Sequence, residues 1–311
     1  MNNKAKYLTK GPVVFALALV CCLLWGSAFP TVKIGYKMFG IAGNDSWTQI
    51  LFAGMRFTGA GVMVIAILSA GRRRLVLPKR TALPLIAKLG LVQTVAQYIL
   101  FYIGLANTAG VKASIIDASS VFTALLISCL IFRYERLTWL KVLCCIIGLG
   151  GVVVINLSGN GFDTDMSFRG EGLLFLSSLA YALSSNLIKS YSQHEDPVVL
   201  SGYQFIFGGS VMIAAGLLGG GRIHGITAGS AMLLLYLCLI SAVAYSLWGL
   251  LLEYNPVSRV AVYGFLNPVF GVLLSALLLG EGSRAFGVQG ISALVLVSLG
   301  IFLGNADAER K

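Results

Sequence analysis

Two charges in this 311-residue chain fall where charge is least expected, inside long apolar runs. Arg56 lies about 12 Å and Asp117 about 9 Å from the start of its run, at 1.5 Å of helix per residue. Ionised side chains at such depths in hydrocarbon are costly and mark functional positions by default. An arginine there can hold a carboxylate; an aspartate there can bind an amine or a proton. The competing readings are a buried structural ion pair between the two, or Arg56 reaching the interface along its own stem.

Around these charges the apolar runs carry polar and aromatic stripes at helical spacing. Gln93 and Gln97 are four residues apart. Ser114, Asp117 and Ser120 recur every three. Ser241, Tyr245 and Trp248 share one helical face, and Tyr263 and Asn267 another. Such faces are too polar for lipid and belong to an interface or a cavity. Trp25, Tyr181 and Tyr203 lie well inside their runs, away from the span ends where aromatic residues usually form an interfacial belt. The expected substrate-facing set is therefore Trp25, Arg56, Gln93, Gln97, Asp117, Ser120, Tyr181, Tyr203, Tyr245, Trp248, Tyr263 and Asn267. Helix–helix hydrogen bonding is the alternative for each stripe.

The elements that must position these residues follow from composition. Hydrophobic residues make up 57% of the chain and charged residues 11%, against about 25% charged in a soluble domain. A water-soluble enzyme or binding module is excluded. The runs between charge clusters are about 20 residues long, enough to cross a bilayer core of about 30 Å as helix. The six cysteines (Cys21, Cys22, Cys129, Cys144, Cys145 and Cys238) all sit in those runs and act as small packing residues. His194 and His224 fall in different loops, with no His, Cys or carboxylate cluster at metal-ligand spacing. No metal or cofactor is expected. The glycines are spread through the apolar runs, as is common in membrane helices. Nucleic acid is not expected as a partner: the net charge of +11 is better explained by membrane orientation.

The runs predict an all-α membrane protein with ten transmembrane helices, at about 13–34, 48–70, 82–105, 111–132, 138–157, 171–190, 198–219, 231–252, 257–280 and 286–304. One side then receives fifteen Lys and Arg, among them Lys4, Lys6, Lys10, Arg72–Arg74, Arg136, Lys189, Arg259 and Lys311. The other receives six: Lys33, Lys37, Lys112, Arg169, Arg222 and Arg284. That bias places both termini in the cytoplasm, with the chain multi-pass in the cell (plasma or inner) membrane. The basic residues before the first run also fit a cleaved signal, but the run is longer than an h-region and has a partner later in the chain.

The chain reads as a duplication. An offset of 148 residues carries Gly54 to Gly202, Arg56 to Gln204, Gly61 to Gly209, Gln97 to Tyr245 and Ser119 to Asn267. Offsets of 156 and 149 carry Trp25 to Tyr181 and Gly151 to Gly300. Each half, 13–157 and 171–304, holds five expected spans. An odd number inserts the halves in opposite orientation, so the two five-helix repeats are inverted. This is a carrier architecture, with the site near the midplane between the repeats.

Trp25-Gly26-Ser27-Ala28-Phe29 resembles the "WG(S/T)" signature of the drug/metabolite transporter superfamily in its EamA branch. Asn267-Pro268-Val269-Phe270 with Leu279-Gly280-Glu281 resembles the "P-(V/I)-F…LGE" signature closing each EamA repeat, and Arg56 the arginine of the second helix. In the first repeat Ser120 replaces the proline, and the stretch from Phe122 to Glu135 is two residues longer than its partner. The resemblance implies a ten-helix carrier of small metabolites, with amino-acid exporters among its kin. The expected function is a secondary transporter of small metabolites, amino acids or related amphiphilic compounds, working outward by alternating access in contact with the lipid bilayer. The alternatives are a membrane-embedded enzyme and a non-transporting receptor or scaffold. Glycine pairs at Gly148/Gly151 and Gly287/Gly290 mark helix packing, and a homodimer contact is compatible with those helices.

Overall fold

The computed structural model describes residues 3–107, 110–156, 167–279 and 288–309. Among the described residues all the regular secondary structure is helical. Gly280, Glu281, Arg284, Gly287 and Lys311, which entered the motif, packing and orientation readings, lie outside the described residues.

A short turn, Asn3–Leu8, leads into α1 (Gly11–Met38) and α2 (Ser46–Arg72). Then come α3 (83–106), α4 (Gly110–Leu126) with a π turn at Ile127–Ile131, and α5 (Trp139–Asn156). After a π turn at Phe168–Gly172, the second half runs α6 (Leu173–Tyr191), α7 (Pro197–Leu218), α8 (Ala228–Tyr254), α9 (257–279) and α10 (Val288–Glu309). Within α3 the segment Gly90–Ala96 is π-helical, and within α9 the segment Val262–Phe265 is 3-10.

Six helical stretches are long and apolar enough to cross a membrane: Gly11–Met38, Ser46–Arg72, Arg80–Leu105, Phe168–Tyr191, Pro197–Leu218 and Ala228–Tyr254. They fall on six of the expected spans. Ile116–Ile131, Trp139–Val154 and Leu294–Gly304 are shorter apolar helices on three others. At the remaining one, α9 is divided by its 3-10 turn. The π turn Ile127–Ile131 lies in the stretch that is longer than its repeat partner. A wider turn absorbs an extra residue without breaking the helix.

The helix ends are set by local chemistry. Asp45 accepts from the Thr48 amide (3.0 Å) at the start of α2, Asp196 from the Val198 amide (2.8 Å) at the start of α7, and Thr227 and Ser230 form a reciprocal cap on α8. Asn107 and Asn255, one offset apart, each donate back to the carbonyl four residues earlier, Ile103 at 2.8 Å and Leu251 at 3.0 Å.

The centre of the bundle is the contact of α2 with α7. A Cβ on Gly54 would lie 2.9 Å from the Gly209 carbonyl oxygen, and one on Gly61 only 2.5 Å from that of Gly202. Both are closer than real side chains approach, so glycine is what lets the two backbones meet. α1 packs on α8 and α9, α6 on α3 and α4, and α5 on α10. At the α1–α9 contact, a Cβ on Gly26 would lie 2.6 Å from Phe270 Cβ, so the two signature motifs touch directly. The six cysteines are buried and form no disulfide with one another; Cys21 Sγ points to the Ala244 carbonyl and Cys22 Sγ to that of Tyr263.

Candidate functional site

Four helices converge on Arg56, which is buried in the middle of α2. Its Nε donates to Ser241 Oγ of α8 at 3.1 Å, and its guanidinium carbon lies 5.2 Å from the Phe57 ring centroid. The charge also acts on the phenols of Tyr36, Tyr98, Tyr102 and Tyr245. Among the described residues no carboxylate pairs with it; the ion pairs found there are Arg72–Asp196 and Lys141–Glu135. Its hydrogen-bond partners are the hydroxyls of Ser241 and Tyr102, so the charge is held by neutral groups.

Beside Arg56 lies a continuous aromatic cluster. The Tyr98 and Tyr245 hydroxyls share a 2.6 Å hydrogen bond. Trp25 packs edge-on against both Tyr245 and Trp248, each at 5.1 Å. Phe205 packs on Tyr245 at 5.0 Å, and Phe57 on Tyr98 at 4.3 Å. Trp25 Nε1 in this cluster and Gln97 Oε1, next to Tyr98 on α3, are buried without a partner, as is Asn267 Oδ1 on α9. Unsatisfied groups in a dry interior are costly.

Asp117 is half-buried on α4 and acts on the phenols of Tyr181 and Tyr245. It is not paired with Arg56: the two charges flank the tyrosine cluster without meeting. That arrangement removes the structural ion-pair reading of the sequence.

A second polar group is closed. Gln93 Nε2 donates to Ser184 Oγ (3.2 Å), Gln204 Nε2 to Gln93 Oε1 (3.1 Å) and Thr94 Oγ1 to Gln204 Oε1 (2.6 Å). Ser184 donates in turn to the Tyr181 carbonyl at 2.8 Å. Gln93 thus joins α3, α6 and α7. The sequence pairs it with Gln97, but the two side chains differ in their partners: Gln93 is bonded between helices, and Gln97 Oε1 has none. The Gln97 backbone carbonyl accepts Ser177 Oγ (2.9 Å) instead of serving the helix alone.

The remaining expected residues divide. Tyr245 and Trp248 join Trp25 in the cluster; Ser120 is buried on α4 near Asp117, its carbonyl accepting Thr123 Oγ1 at 3.1 Å. Tyr203 stands apart: its hydroxyl donates to the Val76 carbonyl (2.8 Å) in the loop after α2, so its ring points toward the bundle end. Tyr263 lies in the 3-10 turn of α9 with its ring 6.0 Å from Phe15, turned outward from the cluster. Sequence reasoning missed Tyr98, Tyr102, Phe57 and Phe205. Gln204 had a signal, since it is the repeat partner of Arg56.

At one end of the bundle a latch crosses between helices. Glu135, just after α4, accepts from Lys141 Nζ (2.8 Å), Ser128 Oγ (3.2 Å), the Ser258 amide (3.1 Å) and the Ser258 hydroxyl. Burial works to raise the carboxyl's pKa, but hydrogen bonds from Lys141 and Ser258 and the Lys141 charge outweigh it and hold it below the usual carboxylate range. Lys189 Nζ donates to the carbonyls of Leu252 (3.0 Å) and Asn255 (2.6 Å) at the same end. Arg72 pairs with Asp196 at 2.7 Å, and Lys79 donates to the His194 carbonyl at 2.8 Å.

Comparison with known proteins agrees with this architecture. The pattern of the EamA-like transporter family matches residues 13–157 and again 168–305. An "Uncharacterized inner membrane transporter YedA" of Escherichia coli K12 is 25% identical over 93% of this chain and 92% of its own. A "Probable amino-acid metabolite efflux pump" of Salmonella typhimurium is 27% identical over 92% and 93%. A "Probable terminal-alkyne amino-acid exporter" of Streptantibioticus cattleyicolor is 32% identical over 47% of this chain and 45% of its own. A solved crystal structure, 17% identical, superposes with a TM-score of 0.77 over 97% of this chain and 99% of that one, a likeness of fold.

Proposed function

This chain belongs to the EamA-like transporter family and is a multi-pass membrane transporter; from that premise we propose that it carries small amphiphilic zwitterions, amino acids or close relatives, outward by alternating access. The observation that carries the proposal is the buried Arg56 guanidinium, without a carboxylate among the described residues, beside the cluster of Trp25, Tyr98, Tyr245 and Trp248. Arginine is the side chain best suited to a substrate carboxylate. Asp117, across the tyrosines, receives the substrate ammonium or a coupling proton. Orphaned Gln97 Oε1, Asn267 Oδ1 and Trp25 Nε1 supply the remaining polar contacts, and the rings take the apolar side chain. That relatives carry the printed names of amino-acid exporters supports the same substrate class.

The mechanism is the exchange of two closures by inverted five-helix repeats, 13–157 and 171–304, in a ten-span chain. Two features favour a half-turn relation. Gly54 meets Gly209 while Gly61 meets Gly202, so positions one offset apart contact each other's partners. Arg56 bonds Ser241 while Gln204 bonds Gln93, again the same contact made twice. With both termini in the cytoplasm, the Glu135–Ser258 latch is the cytoplasmic gate. The site's burial then means that substrate enters only when the latch parts.

The test is transport in proteoliposomes with a panel of labelled amino acids and nucleosides. Saturable movement of an amino acid, lost in Arg56→Gln, is the expected result; movement of none of the panel, or equal movement by the variant, rejects the reading. Cysteine labelling of the Arg72–Arg80 loop from the cytoplasmic side tests the orientation.

A further inference from the structure

Away from the tyrosine cluster, an apolar crevice of about 490 Å³ runs up the outside of the bundle between α1, α9 and α10. Its walls are Phe15, Leu19, Tyr263, Phe270 and Phe302, and at its end stands Arg259. Phe15 and Phe302 are exposed, at 47% and 69%, so the crevice faces the lipid side rather than the interior.

Arg259 is held in place but not neutralised. Its Nη1 donates to the Thr9 carbonyl (3.1 Å) and Asn255 Oδ1 (3.2 Å), and its Nε is buried with no acceptor. Among the described residues it has no carboxylate partner. Exposed Lys6 and Lys10 lie in the segment just before Gly11, which itself lines the crevice. The neighbouring helix ends bring further positive charge: Lys189 is anchored to the carbonyls of Leu252 and Asn255. A fixed cation with a spare buried donor, next to an apolar furrow open to lipid, is unfavourable while empty of an anion.

We propose that this crevice is a binding site for an anionic phospholipid, of the phosphatidylglycerol class. The phosphate sits at Arg259, whose planar donors suit a phosphate, and Lys6 and Lys10 add field rather than contact. One acyl chain lies along Phe15, Leu19, Phe270 and Phe302. A zwitterionic lipid offers the same tail but brings its own ammonium to a site already rich in cations, so charge complementarity selects the anionic headgroup. The bound lipid would tie the N-terminal segment, through Thr9, to the start of α9, the same helix start that Glu135 latches through Ser258.

The experiment uses the full chain in detergent and in nanodiscs of phosphatidylcholine with or without phosphatidylglycerol, with lipid retention read by native mass spectrometry. The expected result is retention of phosphatidylglycerol over phosphatidylcholine, falling at least about tenfold in Arg259→Gln, with partial rescue by Arg259→Lys. Leu294→Trp, which narrows the crevice from its exposed wall, should lower retention of both lipids while leaving the headgroup preference that remains unchanged. Equal retention of the two lipids by the wild type, or an unchanged preference in Arg259→Gln, overturns the proposal. Cross-linking across Phe302 between two copies of the chain at full occupancy also overturns it, because a second protomer would then fill the groove. Loss of amino-acid transport with lipid retention intact leaves this inference standing, since the two sites share no residue.

Discussion

Arg56 and Gln204 sit one repeat offset apart, on α2 and α7, and each reaches the offset-related residue on the helix beside it: Arg56 to Ser241, Gln204 to Gln93. Their settings then part. Around Gln204 every step has a partner: Thr94 donates to it, it donates to Gln93, Gln93 donates to Ser184, and Ser184 donates to a backbone carbonyl. Around Arg56 the partners are the hydroxyls of Ser241 and Tyr102, which leaves the charge without a carboxylate among the described residues and, nearby, Trp25 Nε1 and Gln97 Oε1 without partners. One polar centre is complete and fastens helices; its counterpart keeps a charge with no opposite charge beside it. A completed network gives order at small net stabilisation, whereas an uncompensated cation in low dielectric binds an incoming anion strongly. The proposed site therefore lies where the internal symmetry is broken.

The sharpest way to break this contrast is to make the two centres alike. Arg56→Gln installs in α2 the residue that α7 already tolerates, so the protein should fold, with a thermal midpoint near wild type. Transport should fall by about 100-fold or more, the scale of removing the arginine partner from a buried carboxylate. A variant that transports normally would move the site elsewhere. Arg56→Lys, keeping charge without the planar fork, should recover part of the rate.

Asp117→Asn comes next. Because Asp117 stands apart from Arg56, the substitution should leave folding and yield intact. It should abolish gradient-driven transport while sparing counterflow exchange if the carboxylate carries the coupling proton, and reduce both together if it holds the substrate ammonium. Collapse of yield, repaired by Arg56→Gln, would restore the ion-pair reading.

The closed centre should respond in the opposite sense. Gln93→Leu leaves Gln204 and Ser184 short of partners, and stability should drop by about 1–2 kcal/mol, the upper range for buried polar contacts between membrane helices. The transport rate per folded molecule should change little. A transport defect larger than the stability defect would mean that Gln93 belongs to the site after all.

How far the sequence disclosed these two centres depends on helix geometry. Arg56, Asp117 and the glycines at 54, 61, 202 and 209 could be read directly, because charge in an apolar run and small residues at one offset need no knowledge of rotation. Gln93 and Gln97 could not be separated, because spacing gives a helical face but not the partners that neighbouring helices bring to it, and Gln93 alone meets Ser184 and Gln204. Tyr263 lies in the 3-10 turn Val262–Phe265, where three residues per turn no longer puts positions four apart on one face. Tyr203 misled through length: its ring begins deep in α7, but its hydroxyl reaches Val76 in a loop. The tyrosines and phenylalanines around Arg56 gave no signal, since aromatic residues at helical spacing are ordinary packing until neighbouring helices bring them together.

The latch distinguishes the bundle's end from its centre by pH. Glu135's carboxyl titrates below the usual range because Lys141 and Ser258 favour its charged form against the effect of burial. Its contribution to stability is present above the unfolded-state value, about 4.3, and is lost as pH falls through the lower folded-state value. Thermal stability should therefore decline in that acidic window. Glu135→Gln should remove that acid-dependent part of the profile and raise the labelling rate of a cysteine placed at Ser258. An unchanged acid profile would detach the latch from Glu135.

The smallest effect expected is that of Tyr245→Phe, and it probes the seam between the two centres. Tyr245 belongs to the open side, packed against Trp25, and its hydroxyl bonds Tyr98 on α3, the helix that also carries Gln93 of the closed side. Removing that hydroxyl keeps the ring and its aromatic contacts, so the area packed against Trp25 and Phe205 is preserved. What is lost is a single neutral hydrogen bond, and Tyr98 can turn its own hydroxyl toward the Arg56 side. The stability change should be about 0.6 kcal/mol, the average for such bonds between membrane helices. If the bond serves only packing, transport should follow stability and hardly move. If the Tyr245 hydroxyl instead meets the substrate carboxylate together with Arg56, the apparent affinity should weaken severalfold at unchanged stability, and the loss should vanish in an Arg56→Gln background, where the carboxylate is no longer held. A double-mutant comparison of Tyr245→Phe and Arg56→Gln separates the two cases, because additive effects assign the hydroxyl to the scaffold and a missing second effect assigns it to the site.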